Sequence, residues 1–180
     1  MSENINLTEL SELLGKVNLE DVSADSAGFD NLPDGYYLSE VETAELTVSK
    51  NSGANMIKMM FSVVEDGLGV TQDSFGHAKL VNLDRTKNRK IFIYYPLKDE
   101  RTVKRFVTDM LKFEGEEEGE PLLEKEAFTN AEFLEDALQC LVGCRIYAQV
   151  STTTNKNSGE AQTWTNLISW KRAKDLDLPR

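Results

Sequence analysis

Histidine and cysteine are almost missing from this chain of 180 residues: there is one histidine, His77, and two cysteines, Cys140 and Cys144. These three residues form no zinc-ligand spacing, and the two thiols read as small reduced residues of core or surface. With one histidine, acid-base catalysis would rest on carboxylates, and no motif pairs two of them. A nucleophile elbow, a P-loop, a dinucleotide fingerprint and a helical zinc pair are all absent. Binding without catalysis and without a cofactor is therefore expected. No apolar run approaches the roughly 18 residues of a membrane span, and acids stand where a signal peptide would be basic. The chain reads as soluble and cytoplasmic, with no membrane partner.

Positive charge is also scarce, with 20 Lys and Arg against 31 Asp and Glu and a net charge of −11. Taken alone this opposes a nucleic-acid ligand, whose phosphates call for cations. The charges are segregated, however. Residues 1–34 hold eight acids against Lys16, and residues 114–135 hold nine against Lys125. Residues 79–105 hold nine bases against three acids, so a basic face is compatible with an acidic protein.

What is present begins with a turn at Leu32-Pro33-Asp34-Gly35, where proline presets φ and glycine accepts a positive one. A long strand follows. Its apolar residues change parity, from Tyr37 and Val41 to Ala44, Leu46 and Val48, which predicts a bulge near Glu42 to Ala44. Lys50 to Asn55 reads as a hairpin loop, and a second strand puts Ile57, Met59, Phe61 and Val63 on one face. Asp66 to Gly76, with three glycines, reads as a loop, and a third strand is expected around Lys79 to Leu83. A basic turn, Asp84 to Lys90, precedes Ile91-Phe92-Ile93-Tyr94-Tyr95, the most strand-like run of the chain.

Cations immediately before aromatics are what a single-strand binder uses, charges tracking phosphates while rings stack on bases. The competing reading is a solubilising loop beside a core strand. One face of that strand must be core, so either Phe92 and Tyr94 or Tyr95 can meet a ligand, and the pattern leaves both open. The candidate contacts are Arg85, Lys87, Arg89 and Lys90 on phosphates, with Phe92, Tyr94 or Trp164 on bases. Lys50 and Lys156 on two loops and Lys58 on the second strand complete the set.

Asp99 caps a helix over 100–113 in which Val103, Phe106, Val107, Met110 and Leu111 form one stripe, and Lys112 is expected to face solvent. Glu114 to Glu120 reads as a mobile, solvated acidic loop. Thr129 and Glu132 make a capping box for a second helix over 130–142, with Phe133 on its apolar side. The final strands are 145–151 and 163–170, joined by a loop whose Lys156-Asn157-Ser158-Gly159 repeats Lys50-Asn51-Ser52-Gly53. Shared turn chemistry accounts for the repeat. A short amphipathic helix at 7–14 sits in an acidic arm over 1–28, and 175–180 is a short tail.

Phe29-Asp30-Asn31-Leu32-Pro33-Asp34-Gly35-Tyr36-Tyr37, then Ala44-Glu45 and Ser49 to Ile57, resemble small bacteriophage proteins encoded among replication and recombination genes. So do the helix Thr102 to Phe113 with Gly115 and the stretch Leu141-Val142-Gly143-Cys144-Arg145. The likeness covers about residues 29–172. It implies a single-stranded DNA-binding protein with an oligonucleotide-binding (OB) barrel: five mostly antiparallel strands over 29–174, two added helices within an insertion at 99–142, and the N-terminal short helix. It also implies a phage recombinase, polymerase or helicase as partner and the host cytoplasm as location, with homo-oligomerisation left open. An interaction module of such a complex is the alternative, and a metal-dependent nuclease using the acidic loop is a more remote one.

Overall fold

The computed structural model describes residues 31–128 and 130–180. The arm over 1–28 with its expected helix, and Thr129 of the expected capping box, lie outside the described residues.

Strand β1, Gly35–Val48, is the strand to which three others attach. Its parity change is a β-bulge: Val41 pairs with Phe61 and Thr43 with Met60, so Glu42 has no cross-strand partner. The extra residue keeps Tyr37, Val41 and Ala44 all buried although their spacing breaks period two. The first half of β1 pairs with β6, Arg145–Thr154, and the second half with β2, Asn55–Val63. The outer neighbours are β5, Lys90–Pro96, beside β2, and β7, Ala161–Ile168, beside β6. Every pairing is antiparallel, and the protein is mainly β, with seven strands and three α-helices described.

Of the remaining two strands, β3, Leu68–Gln72, corrects the sequence reading, and β4, Ala78–Asn82, is the one expected around Lys79 to Leu83. Asp66 to Gly76 is not simply a loop, because it contains β3, which pairs with β4. Among the described residues this hairpin's ladder pairing with β1 is the pair Tyr36 and Leu68, and Leu68 and Leu80 pack with Leu38 and Tyr36. Glycines at its junction with β1 allow close approach. A Cβ on Gly67 would lie 2.2 Å from the Tyr37 ring, and one on Gly35 would lie 2.7 Å from the Leu68 carbonyl.

Inward residues of five strands form the core, among them Ile57, Met59, Phe61 and Val63 of β2 and Ile91, Ile93 and Tyr95 of β5. Each fully buried side chain of this size contributes about 1.5–3 kcal/mol of transfer free energy. Helix α1, Glu100–Met110, closes one side with Phe106 and Met110. Asp99 caps it, accepting from Thr102 N at 2.8 Å, while Thr102 Oγ1 accepts from Asp99 N. A 3-10 turn, Lys125–Phe128, adds Phe128 edge-on to Phe106. Helix α2, Ala131–Leu141, is capped by Asn130, which accepts from Glu132 N at 3.0 Å. It buries Leu134, Ala137, Leu138 and Leu141, whereas Phe133 is exposed, contrary to its expected place on the apolar side.

A second cluster covers the outside of β1 and β6. Helix α3, Trp170–Asp175, packs Ala173 against Leu38 and Tyr147, and Trp170 stands edge-on to Tyr147 at 5.7 Å. The segment read as a short tail joins this cluster, with Leu178 buried and the Pro179 carbonyl accepting from Tyr147 Oη at 2.8 Å. The acidic loop is pinned rather than solvated throughout. Gly115 N donates to the Glu120 carbonyl at 2.9 Å, and Arg180 pairs with Glu114 at 3.1 Å and with Glu118 at 3.7 Å. No helix among the described residues is long and apolar enough to cross a membrane.

Candidate nucleic-acid interface

Strand β5 divides its aromatics between two faces. Tyr95 is buried and its hydroxyl donates to Asp109 Oδ2 at 2.9 Å, and burial pushes this phenol well above its ordinary pKa. Phe92 and Tyr94 point the other way and are 47% and 49% exposed. The alternation left open by the sequence is thereby resolved, with Phe92 and Tyr94 outward.

Register places partners beside both rings. Phe92 lies opposite Met60, itself opposite Thr43, and Tyr94 lies opposite Lys58, itself opposite Glu45. Side chains directly across an antiparallel pair have Cβ atoms about 4.5–5.5 Å apart, so each row is a contiguous strip. Two half-exposed rings, a lysine and the methionines Met56 and Met60 thus share the outward face of β2 and β5. The sequence pattern puts Met56, Lys58 and Met60 on one face of the second strand, and the structure makes that face the outward one.

The basic turn before β5 has a fixed frame. Asp66 Oδ1 accepts from Thr86 N and Lys87 N, both at 2.9 Å, and these bonds, that of Lys87 foremost, hold the Asp66 carboxyl below the usual carboxylate range. Thr86 is buried, donating to the Leu83 carbonyl and accepting from Gly67 N at 2.8 Å. Arg85 and Asn88 adopt φ of 61° and 66°, a left-handed conformation that non-glycine residues hold only where surrounding bonds impose it. Arg85 and Lys87 project from this frame as exposed cations, and Arg89 is half-buried. Arg89 is close enough to the Tyr37 phenol for its charge to oppose the effect of burial, which pushes that group up to about 12.

Lys90 is already engaged. Its Nζ pairs with the carboxylate of Glu42, the bulged residue, and reaches Ser62 Oγ at 3.3 Å. In the same cross-strand row, which runs Lys90, Ser62, Glu40, Arg145, Arg145 Nε pairs with Glu40 at 2.9 Å. Two ion pairs therefore cross the sheet beside the aromatic strip, and Lys90 would have to leave Glu42 to meet a phosphate.

The two similar loops close in the same way. Gly53 N donates to Ser49 O and Gly159 N to Asn155 O, each at 2.8 Å, with both glycines at positive φ. Lys50 and Lys156 occupy equivalent, exposed positions at these tips. Trp164 is 44% exposed, its Nε1 donating to Thr153 Oγ1 at 2.9 Å. It lies opposite Ser151, beyond the end of β1 that carries Gly35, whereas Phe92 aligns through Met60 with the other half of β1. Register does not bring Trp164 into the Phe92 and Tyr94 strip. Among the described residues no group of histidines, cysteines and carboxylates is arranged to hold a metal ion.

Residues 19–87 match a family model described as "Protein of unknown function (DUF669)". The described part of that match runs from the turn before β1 through β4 to Lys87. No curated protein matches the chain.

Proposed function

We propose that this protein binds single-stranded DNA without reading its sequence, through the outward face of β2 and β5. The observation that carries the reading is the pair of half-exposed rings, Phe92 and Tyr94, held in register beside Met60 and Lys58 on a rigid sheet. Such rings stack on any base, and each stack is worth about 1–3 kcal/mol. The framed turn with Arg85 and Lys87, and the lysines at the two loop tips, supply cations for the backbone.

In this reading the strand order β7, β6, β1, β2, β5 is an OB-like barrel with a seam between its first and last members. The seam is spanned by side chains: Tyr95 of β5 bonds Asp109, Asp109 bonds Lys112, and Lys112 Nζ reaches the Leu167 carbonyl of β7. The setting proposed is phage replication or recombination, with the protein acting as a binder and not an enzyme.

Titration with poly(dT), followed by tryptophan emission and by retention on immobilised single strands, tests the proposal. Binding that weakens as salt rises is the expected result. Failure to bind at low ionic strength would overturn it.

A further inference from the structure

Among the described residues the most exposed large apolar side chain is Phe75, at 84%, on the tip of the β3 and β4 hairpin. The tip is built to hold it out. Asp73 Oδ1 accepts from Phe75 N at 2.8 Å and from His77 N at 2.9 Å, Asp73 N donates to the His77 carbonyl at 2.9 Å, and Gly76 takes φ of 82°. Asp73 Oδ2 lies 3.3 Å from His77 Nδ1, and the imidazole stands 6.4 Å from the Phe75 ring. Backbone on a loose loop would lose conformational entropy on contact, whereas here the backbone that carries the ring is ordered before any ligand.

The charge around the hairpin points to the class of partner. On a chain of net −11, residues 66–90 hold five bases against Asp66, Asp73 and Asp84, with Asp66 occupied by the N–H groups of the framed turn and Lys90 paired with Glu42. Asp73 is occupied by the tip's own N–H groups, and Lys79 leads from the tip towards the framed turn with Arg85 and Lys87. An aromatic at one end of a stretch of net positive charge suits a polyanion that carries flat rings. An apolar protein pocket would have no use for the cations.

We propose that Phe75 is a second nucleic-acid contact, a base-stacking finger on an arm separate from the β2 and β5 face. The assignment rests on the single-strand reading and extends it to a hairpin outside the five-strand order. Because Phe75 touches no core residue, Phe75→Ala leaves the fold intact, which an unchanged thermal midpoint checks.

The experiment is a titration of fluorescein-labelled oligo(dT) with the wild type, Phe75→Ala, Phe75→Tyr and Phe92→Ala at two salt concentrations. Phe75→Ala is expected to bind about 5- to 150-fold more weakly, the range of one base stack, with the same salt slope because no charge is removed. Phe75→Tyr retains wild-type affinity. If Phe92→Ala weakens binding while Phe75→Ala leaves it unchanged, the finger is refuted and the β2 and β5 face stands. If the wild type itself fails to bind, both readings fall together.

Discussion

Lys112 Nζ donates to the main-chain carbonyl of Leu167 at 2.8 Å, tying the turn after α1 to the last strand. The same ammonium lies 2.6 Å from Asp109, whose other oxygen accepts from Tyr95. Side chains from the helical region thus join β5 to β7, which the ladder does not pair.

Replacing Lys112 by Met leaves a carbonyl and a carboxylate short of a donor in a largely buried site. The expected cost is about 1–3 kcal/mol, seen as a lower urea midpoint. Tyr95→Phe costs about 1 kcal/mol, and the double variant is non-additive because the three groups share one network. Additive losses would show that no such relay operates.

Phe92→Ala and Tyr94→Ala separate binding from folding. Each is expected to weaken poly(dT) binding by about 1–3 kcal/mol and to change stability by about 0.5 kcal/mol or less, since both rings lie outside the core. Tyr95→Ala, at the next residue of the strand but on its buried face, should instead cost about 3–5 kcal/mol of stability. Intact binding by the Phe92, Tyr94 double variant would move the interface elsewhere.

The cations are not equivalent. Removing Arg85 and Lys87 together should flatten the slope of log K against log salt by about 1.4, taking roughly 0.7 per single-strand phosphate. Lys90→Ala has a smaller effect, because Glu42 already neutralises that ammonium. Glu42→Gln frees it and is expected to tighten binding at low salt. Weaker binding by Glu42→Gln would contradict this division of roles.

Three buried phenols set an alkaline limit. Burial pushes Tyr37 and Tyr147 up to about 12 and Tyr95 well above its ordinary value. A phenol with a raised folded pKa favours the folded state while it is neutral. Above about pH 10 the unfolded chain ionises first, and stability falls until the folded groups titrate near 12. Thermal midpoints measured from pH 8 to 11.5 should begin to drop near pH 10, and a flat profile across that range would count against it.

Much of the sheet was legible in apolar spacing. The parity change across Val41 and Ala44 pointed to the bulge because only an inserted residue lets both be buried. The spacing could not choose a face for β5, since Ile91, Ile93 and Tyr95 compete with Phe92 and Tyr94 as apolar sets. Gly69 read as loop because glycine serves close approach as well as turns, and only the Leu83 side chain, 3.0 Å from where a Cβ on Gly69 would lie, tells the two apart. Lys112 was placed in solvent by its charge, although its long stem lets the ammonium reach Leu167 from the rim of the core. Glu114 was misread for a similar reason: its partner, Arg180, lies far along the chain.

The bulge at Glu42 makes β1 unequally tolerant of two kinds of genetic change. Substituting Glu42 alters one exposed ion pair, and such pairs are worth about 1 kcal/mol or less. Losing its codon removes the unpaired residue, so the ladder closes up in the register it already has, with Thr43 opposite Met60 and Ala44 opposite Met59. Ala44 would still face the core and Thr43 and Glu45 the face that carries Phe92 and Tyr94, and what is lost is the local bend and twist that the extra residue gives β1. An in-frame deletion at this one position is expected to keep the side chains of β1 on their present faces and to cost stability through the lost bend, where a substitution at the same codon costs the fold no more than the ion pair with Lys90.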